Sequence, residues 1–246
     1  MGKSKIDWCD YVVNPVVGCT PISAGCKNCY AKRMTDRFEG KEAFEHLRFF
    51  PERMEAVKHW KPGMVFVCSM SDLFHENVPD SFIDGIFDAI DKMPQHDFFI
   101  LTKRVDRMYI YFKSRPLLRL SNVWLGATVE NYDVAERRIP LLLSIPLYHH
   151  FLSIEPLLSD GITIIMDISQ RVTPIDWVIV GGESGKGVRQ TKKEWVTEIK
   201  DYCQKDKIPF FFKQWGEQEK GCLLDGKEYR MRMKKYCILV QKDGLQ

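Results

Sequence analysis

No run in this 246-residue chain approaches the roughly eighteen uncharged apolar residues of a membrane helix. The opening "MGKSKIDWCDYVV" has no apolar core after its lysines, so a secretory signal is not expected. Ile6 stands where a myristoylation motif wants Ser or Thr. The expectation is a cytoplasmic protein with no membrane partner. An excess of one charge sign is also lacking, with 36 basic against 33 acidic residues. A net +3 neither demands nor excludes nucleic acid, because an electrostatic footprint needs clustering on one face. GxGxxG and the Walker Lys-Ser/Thr ending are missing, which removes the dinucleotide and P-loop readings. There is no linker, low-complexity stretch or sequence repeat, so residues 1–246 read as one domain.

What the chain does have is a rhythm. Six short apolar runs are "MVFVCSMSD" (64–72), "DFFILTKR" (97–104), "NVWLGATVEN" (122–131), "HHFLSIEP" (149–156), "DWVIVGGES" (176–184) and "IPFFFKQWG" (208–216). They are apolar on successive positions, as strands covered on both faces are. Helical patterns separate them. In "VPDSFIDGIFDAIDKM" Asp80 is the expected cap, and in "TKKEWVTEIKDYCQKD" Thr191 and Glu194 form an expected capping box. "RVDRMYIYFKS" is a further helix, and "NYDVAERRIPLLLSI" is one that Pro140 should bend or end. Repeated strand–helix units predict an α/β fold, a partial or complete (β/α) barrel, with a doubly wound open sheet as the alternative. A possible first strand, "YVVNPVVG", is weakened by Pro15. The tail, about 216–246, leaves the rhythm, and its "LLDGKEY" reads as a hairpin around Asp225-Gly226.

In such barrels chemistry sits where the strands end. The ends here are polar: Ser69, Ser71 and Asp72; Thr102, Lys103 and Arg104; Thr128, Glu130 and Asn131; Ser153 and Glu155; Glu183 and Ser184; Lys213 and Gln214. Each could equally be an ordinary solvent-facing strand end. Glu155 stands out, because a merely solvated carboxylate would be odd between Ile154 and Pro156. "GGESGKG" (181–187) is either a tight connection or a loop whose backbone N–H groups approach an anion. Trp215 reads as a lid on the barrel mouth or as a stacking surface.

Three of the eight cysteines, Cys19, Cys26 and Cys29, fall within one turn-rich loop, about 18–31. In a reducing compartment disulfides are the poorest use for them. Structural zinc wants four ligands, and the fourth would have to be Cys9, Cys68, His75 or a tail thiol. A 4Fe–4S cluster can use three thiolates and keep one iron open for a ligand, which suits the spacing better. Cys203, on a predicted helix, reads as packing, and Cys222 and Cys237 carry no pattern.

Together "NPVVGCTPISAGCKNCYA", "FILTKR", "NVWLGATVEN", "FLSIEPLL", "DWVIVGGESG" and "PFFFKQWG" resemble a family of bacterial and phage proteins of unassigned function related to the radical S-adenosylmethionine enzymes. The likeness runs from about Trp8 to about Gly226. It implies a partial β/α barrel of the radical-SAM/TIM-barrel type, with a 4Fe–4S cluster on the loop after the first strand. Cys19, Cys26 and Cys29 would hold it, and the open iron would chelate S-adenosylmethionine. An external electron donor would feed the cleavage that yields a 5′-deoxyadenosyl radical.

Expected contacts to the cofactor are Tyr30, Ser71, Lys103, Thr128, Glu130, Asn131, Glu155, Gly181, Gly182, Glu183 and Ser184. Glu155, Glu183 and Lys213 are the catalytic candidates, and Lys213 and Arg104 would attract an anionic group. The loop departs from the common C-x3-C-x2-C pattern: it is C-x6-C-x2-C, and Asn28 rather than an aromatic precedes the last cysteine. The glycine-glycine-acid turn also comes after a late strand rather than the second. The phage association and the basic tail (Arg230, Arg232, Lys234 and Lys235) point to a nucleotide or nucleic-acid substrate, although such a tail reads more readily as a solvated charged edge. The competing expectation is a zinc-binding phage accessory protein that binds nucleic acid or a host protein without catalysis.

Overall fold

The computed structural model describes residues 3–115, 120–146, 149–169, 173–185, 187–216 and 221–233. Seven strands form one sheet: β1 (Tyr11–Val13), β2 (Met64–Val67), β3 (Asp97–Thr102), β4 (Val123–Thr128), β5 (His149–Ile154), β6 (Trp177–Gly181) and β7 (Phe210–Gln214). Their spatial order is their chain order and every neighbouring pair is parallel. The sheet curls into a half-barrel whose outer strands do not meet, so the expected barrel is a partial one and the doubly wound alternative is not formed. All six runs are strands, and the weak seventh is β1. Pro15 matters where it stands: the sheet strand stops at Val13, and Val16–Val17 pairs instead with Arg48–Phe49 in a separate antiparallel ribbon.

The successive apolar positions divide between two cores by a period of two. Val65, Val67, Phe98, Ile100, Val123, Leu125, Leu152, Ile154, Val178, Val180, Phe210 and Phe212 face the convex side. There they meet helices α1 (Tyr30–Glu39), α2 (Arg53–Val57), α3 (Asp80–Asp91), α4 (Val105–Lys113), α5 (Tyr132–Leu143), α6 (Ile162–Ser169) and α7 (Lys193–Lys205), or the loops beside them. Met64, Phe66, Phe99, Trp124, Phe151, Trp177, Ile179 and Phe211 face the concave side. Trp8, from the N-terminal loop, plugs that side, with ring centroids 4.8 Å from Phe66 and 5.8 Å from Trp177. Each such side chain stabilises by about 1.5–3 kcal/mol through burial. Gly126 is needed in this layer, because a Cβ there would lie 2.4 Å from the Phe151 ring.

Several local expectations are corrected. Pro140 neither ends nor interrupts α5, since Pro140 and Glu136, whose carbonyl loses its donor, both face solvent. Asp80 is the first residue of α3 rather than its cap, and its carboxylate pairs with Arg107 at 3.0 Å. Thr191 forms no capping box, because its hydroxyl donates to the Leu157 carbonyl at 3.1 Å and α7 begins at Lys193. Trp215 is neither lid nor stacking surface. It packs in the convex core against Phe212 at 4.7 Å and donates to Leu223.

The tail beyond Gly216 forms the expected hairpin, Leu223–Leu224 with Lys227–Glu228, turning at Asp225 and Gly226, both with positive φ. It then covers the β7 edge, as Phe212 N–H donates to Tyr229 at 2.6 Å and Met231 N–H to Phe210 at 3.2 Å. Arg230 and Arg232 pair with Asp7 and Asp10 at 3.0 and 2.8 Å, so they bind the N-terminal loop rather than project as a basic tail. Lys234, Lys235 and Cys237 lie outside the described residues. Among the described residues no helix is long and apolar enough to cross a membrane.

Candidate functional site

Above the aromatic floor, the inner face of the same strands turns polar. Lys103, Thr128, Ser153, Glu155 and Lys213 continue the inward-facing positions of β3, β4, β5 and β7. They line a cavity of about 400 Å³ at the C-terminal ends of the strands, together with Trp8, Phe66, Ser69, Ser71, Gly182, Glu183, Ser184 and Gln214. Cys19, Cys26, Cys29 and Tyr30 form its wall. The three thiols are only partly buried, whereas Cys9, Cys68 and Cys203 are buried. Cys203 packs in the convex core, as its helix position implies.

The loop holding these cysteines leaves the sheet after β1 and is framed by the Val16–Val17 ribbon. Gly18, with φ of +103°, makes the turn that its crowding by the His46 carbonyl permits only to glycine. Its carbonyl accepts from the Ser71 hydroxyl at 2.5 Å, and the Cys19 N–H donates to Phe44 at 2.7 Å. A single 3₁₀ turn, Ala24–Cys26, and the start of α1 after Cys29 complete it.

The strand ends grip this loop. Arg104 donates to the Thr20 carbonyl and hydroxyl at 3.0 and 2.9 Å and to Cys19 Sγ at 3.5 Å. Asp72 and Glu76 pair with it at 3.3 and 2.7 Å. Arg104 is therefore committed within the protein rather than free to attract an anion. Glu130, 0% exposed, accepts from the Gly25 N–H at 3.1 Å and pairs with Arg138 at 2.8 Å. Glu183 accepts from the Asn28 amide at 2.7 Å and is paired by Arg189, which also donates to the Ala24 carbonyl. Burial pushes the Glu183 carboxyl up, but the Arg189 hydrogen bonds outweigh it and hold the group below the usual range.

Some expected contacts lie elsewhere. Glu130 and Asn131 do not line the cavity, and the Asn131 side chain caps α5 by accepting from Val134 N–H at 3.1 Å. Gly181 does not line it either, but it lies between Glu155 and Lys213, 3.4 and 3.5 Å from where its Cβ would be. That leaves the two side chains room to meet across β6, with Nζ donating to Oε2 at 2.5 Å. Tyr30 donates its hydroxyl to the Ser69 carbonyl. Lys103 is the one charged lining group with no ion-pair partner among the described residues.

The chemistry of the donors bears on which metal group they suit. Among the described residues no three His, Cys, Asp or Glu side chains close around a point where one ion would sit. Tetrahedral zinc would draw its sulfurs to about 2.3 Å from one centre. Two of the proposed fourth zinc ligands, Cys9 and His75, are engaged elsewhere, whereas Cys68 lines the cavity and Cys237 lies outside the described residues. Cys9 packs in the aromatic floor, and both His75 ring nitrogens are bonded, to Thr20 at 2.8 Å and to the Asn77 N–H at 3.1 Å. A cubane instead takes each thiolate on a different iron, and three partly exposed thiols beside a cavity fit that group. Burial pushes the Cys19 thiol up to about 11, Asp72 adding to the rise and Arg104 opposing it, so metal binding there displaces a proton.

A family model described as "Protein of unknown function (DUF5131)" matches residues 3–236. The chain belongs to that family. No curated protein matches this DUF5131 chain in sequence. Among solved structures it resembles spore photoproduct lyase complexed with dinucleoside spore photoproduct, with a TM-score of 0.51 and 11% identity. The match covers 82% of this chain and 63% of that one, so the DUF5131 chain spans less than two thirds of its neighbour's length. A mutant of the same lyase matches with a TM-score of 0.50, 11% identity and the same coverage. At this identity the likeness to spore photoproduct lyase is one of fold.

Proposed function

We propose that this protein is a radical S-adenosylmethionine enzyme, with Cys19, Cys26 and Cys29 holding a 4Fe–4S cluster beside a cavity that takes S-adenosylmethionine. The observation that carries this reading is the convergence of three partly exposed thiols on one wall of a cavity at the C-terminal mouth of a parallel half-barrel. The fold likeness to spore photoproduct lyase supports it. When bound, the cluster supplies the single electron that cleavage of the sulfonium needs, drawn from an external donor.

The chain's own residues prepare the ligand. The Glu155–Lys213 pair presents a carboxylate beside an ammonium, the complement of the amino-acid end of S-adenosylmethionine. Ser71, Thr128 and Ser153 line the same cavity and bring hydroxyls to it, and Gly182 and Ser184 bring the turn after β6 to its rim. Trp8 and Phe66 close the bottom with apolar surface, which keeps water from a reactive centre. Lys103 faces the cavity without an ion-pair partner among the described residues and suits an anionic group on the second substrate. A nucleotide or nucleic acid is the substrate class that fits, and the dinucleoside bound by the structural neighbour supports it.

Protein purified without oxygen and reconstituted with iron and sulfide should be brown. It should form 5′-deoxyadenosine from S-adenosylmethionine and a reductant. Cys26→Ala should lose iron loading while Cys203→Ala keeps it. Colourless protein carrying one zinc, or equal iron in the two variants, overturns the reading.

A further inference from the structure

From Cys19 to Tyr30 not one residue is buried, so hydrophobic packing cannot hold the cysteine loop in place. Its three-residue extension over the C-x3-C-x2-C pattern adds chain to be ordered. Yet three strand-end pairs of a carboxylate and an arginine meet the loop at three places. Asp72 with Arg104 holds Cys19 and Thr20, from the ends of β2 and β3. Glu130 with Arg138 holds the Gly25 N–H, from the end of β4. Glu183 with Arg189 holds Asn28 and the Ala24 carbonyl, from the end of β6.

The pairing has a physical reason. A bare carboxylate beside three thiolates would repel them, whereas a carboxylate neutralised by an arginine keeps its hydrogen-bonding capacity and adds little field. A buried pair is also held rigidly, because separating it leaves a desolvated charge.

We propose that Arg104, Glu130 and Glu183 are positioning residues that fix the cysteine loop before any metal arrives, each acting on its own segment. This rests on the cluster-binding reading only for its purpose, since the clamping itself is a property of the metal-free chain. Glu130 and Glu183 are then supports of the cysteines, and contact with S-adenosylmethionine falls to Glu155 and Lys213.

The test is residue-resolved hydrogen exchange on the metal-free full chain carrying Arg104→Lys, Glu130→Gln or Glu183→Gln. Arg104→Lys should speed exchange of the Cys19 amide at least about tenfold and leave Gly25 and Cys29 within twofold. Glu130→Gln should act on Gly25, and Glu183→Gln on Cys26 and Cys29. The buried segment around Cys203 should stay protected in all three, which separates local loosening from unfolding. After iron and sulfide loading, each variant should lose iron to a chelator about tenfold faster than the parent. Uniform acceleration along the loop, exposure of the Cys203 segment, or unchanged exchange in every variant would overturn the proposal. Segment-specific loosening in a chain that never takes up iron would uphold the clamps and sink the cluster.

Discussion

The lower and upper halves of the concave face are built on the same strands, yet different forces hold them. Below, Trp8, Phe66, Phe99, Trp124, Phe151 and Trp177 exclude water and stack at ring distances such as 5.2 Å for Phe99–Trp124. Above, the cysteine wall has no buried side chain between Cys19 and Tyr30 and is held by hydrogen bonds from paired carboxylates and arginines. A floor held by burial is stable but chemically inert. A rim held by directional bonds stays polar and open to a ligand. The division puts stability and chemistry on separate residues, so changes in the two halves should have separable consequences.

The largest effect expected is in the floor. Trp8→Ala removes the plug and should cost about 3–5 kcal/mol of unfolding free energy, read as a lower urea midpoint. Iron loading per folded molecule should not change. A loss under about 1 kcal/mol would mean that Trp8 is not part of the core.

Acid should next weaken the convex side of the same sheet, beneath the helices. Burial pushes His150, at the start of β5, down to about 4. Its folded-state value lies below the unfolded one, so the unfolded chain gains the proton first. Stability is then fully present above pH 6.5 and declines towards pH 4, by roughly 2–3 kcal/mol from this group. His150→Asn should flatten that part of the pH dependence of the urea midpoint, and an unchanged slope would show that His150 does not carry it.

In the rim the sign of the comparison reverses. Glu155→Gln should leave the urea midpoint nearly unmoved but weaken S-adenosylmethionine binding to the cluster-loaded protein by about tenfold or more, as lost charge-assisted hydrogen bonds do. Calorimetric titration would show this, and unaltered affinity would take Glu155 out of the ligand contacts. The smallest effect belongs to Arg232→Ala at the edge. Its half-exposed pair with Asp10 should contribute no more than about 1 kcal/mol. A collapse of nucleic-acid binding in that variant would restore the tail as a binding element.

Much of the floor and part of the rim were legible before folding. Six continuous apolar runs could only be strands covered twice, and parity along them carries Thr128, Ser153 and Glu155 inward. The same parity would have separated the inward Lys103 from the paired Arg104 beside it. The cysteine trio was legible because its spacing is local. That Glu130 lies outside the cavity was not legible because its environment depends on Arg138, a helical residue with no local signal, and the pairing of Glu183 was not because its partners come from both the cysteine loop and Arg189. The capping roles of Asp80 and Thr191 failed for the same kind of reason: an arginine from α4 and a carbonyl from the β5 loop took those oxygens.

Composition and order of residues alone settled that this chain would build parallel βα units and carry three clustered thiols, since both depend on neighbours in sequence. Folding decided which strand-end carboxylates would line the cavity and which would bond to the cysteine loop, and that a tryptophan from the N-terminal loop would seal the floor. Those choices rest on distant partners, such as Asn28 and Glu183, 155 positions apart. Only the curling of the sheet brings such groups within hydrogen-bonding reach and takes the water from between them.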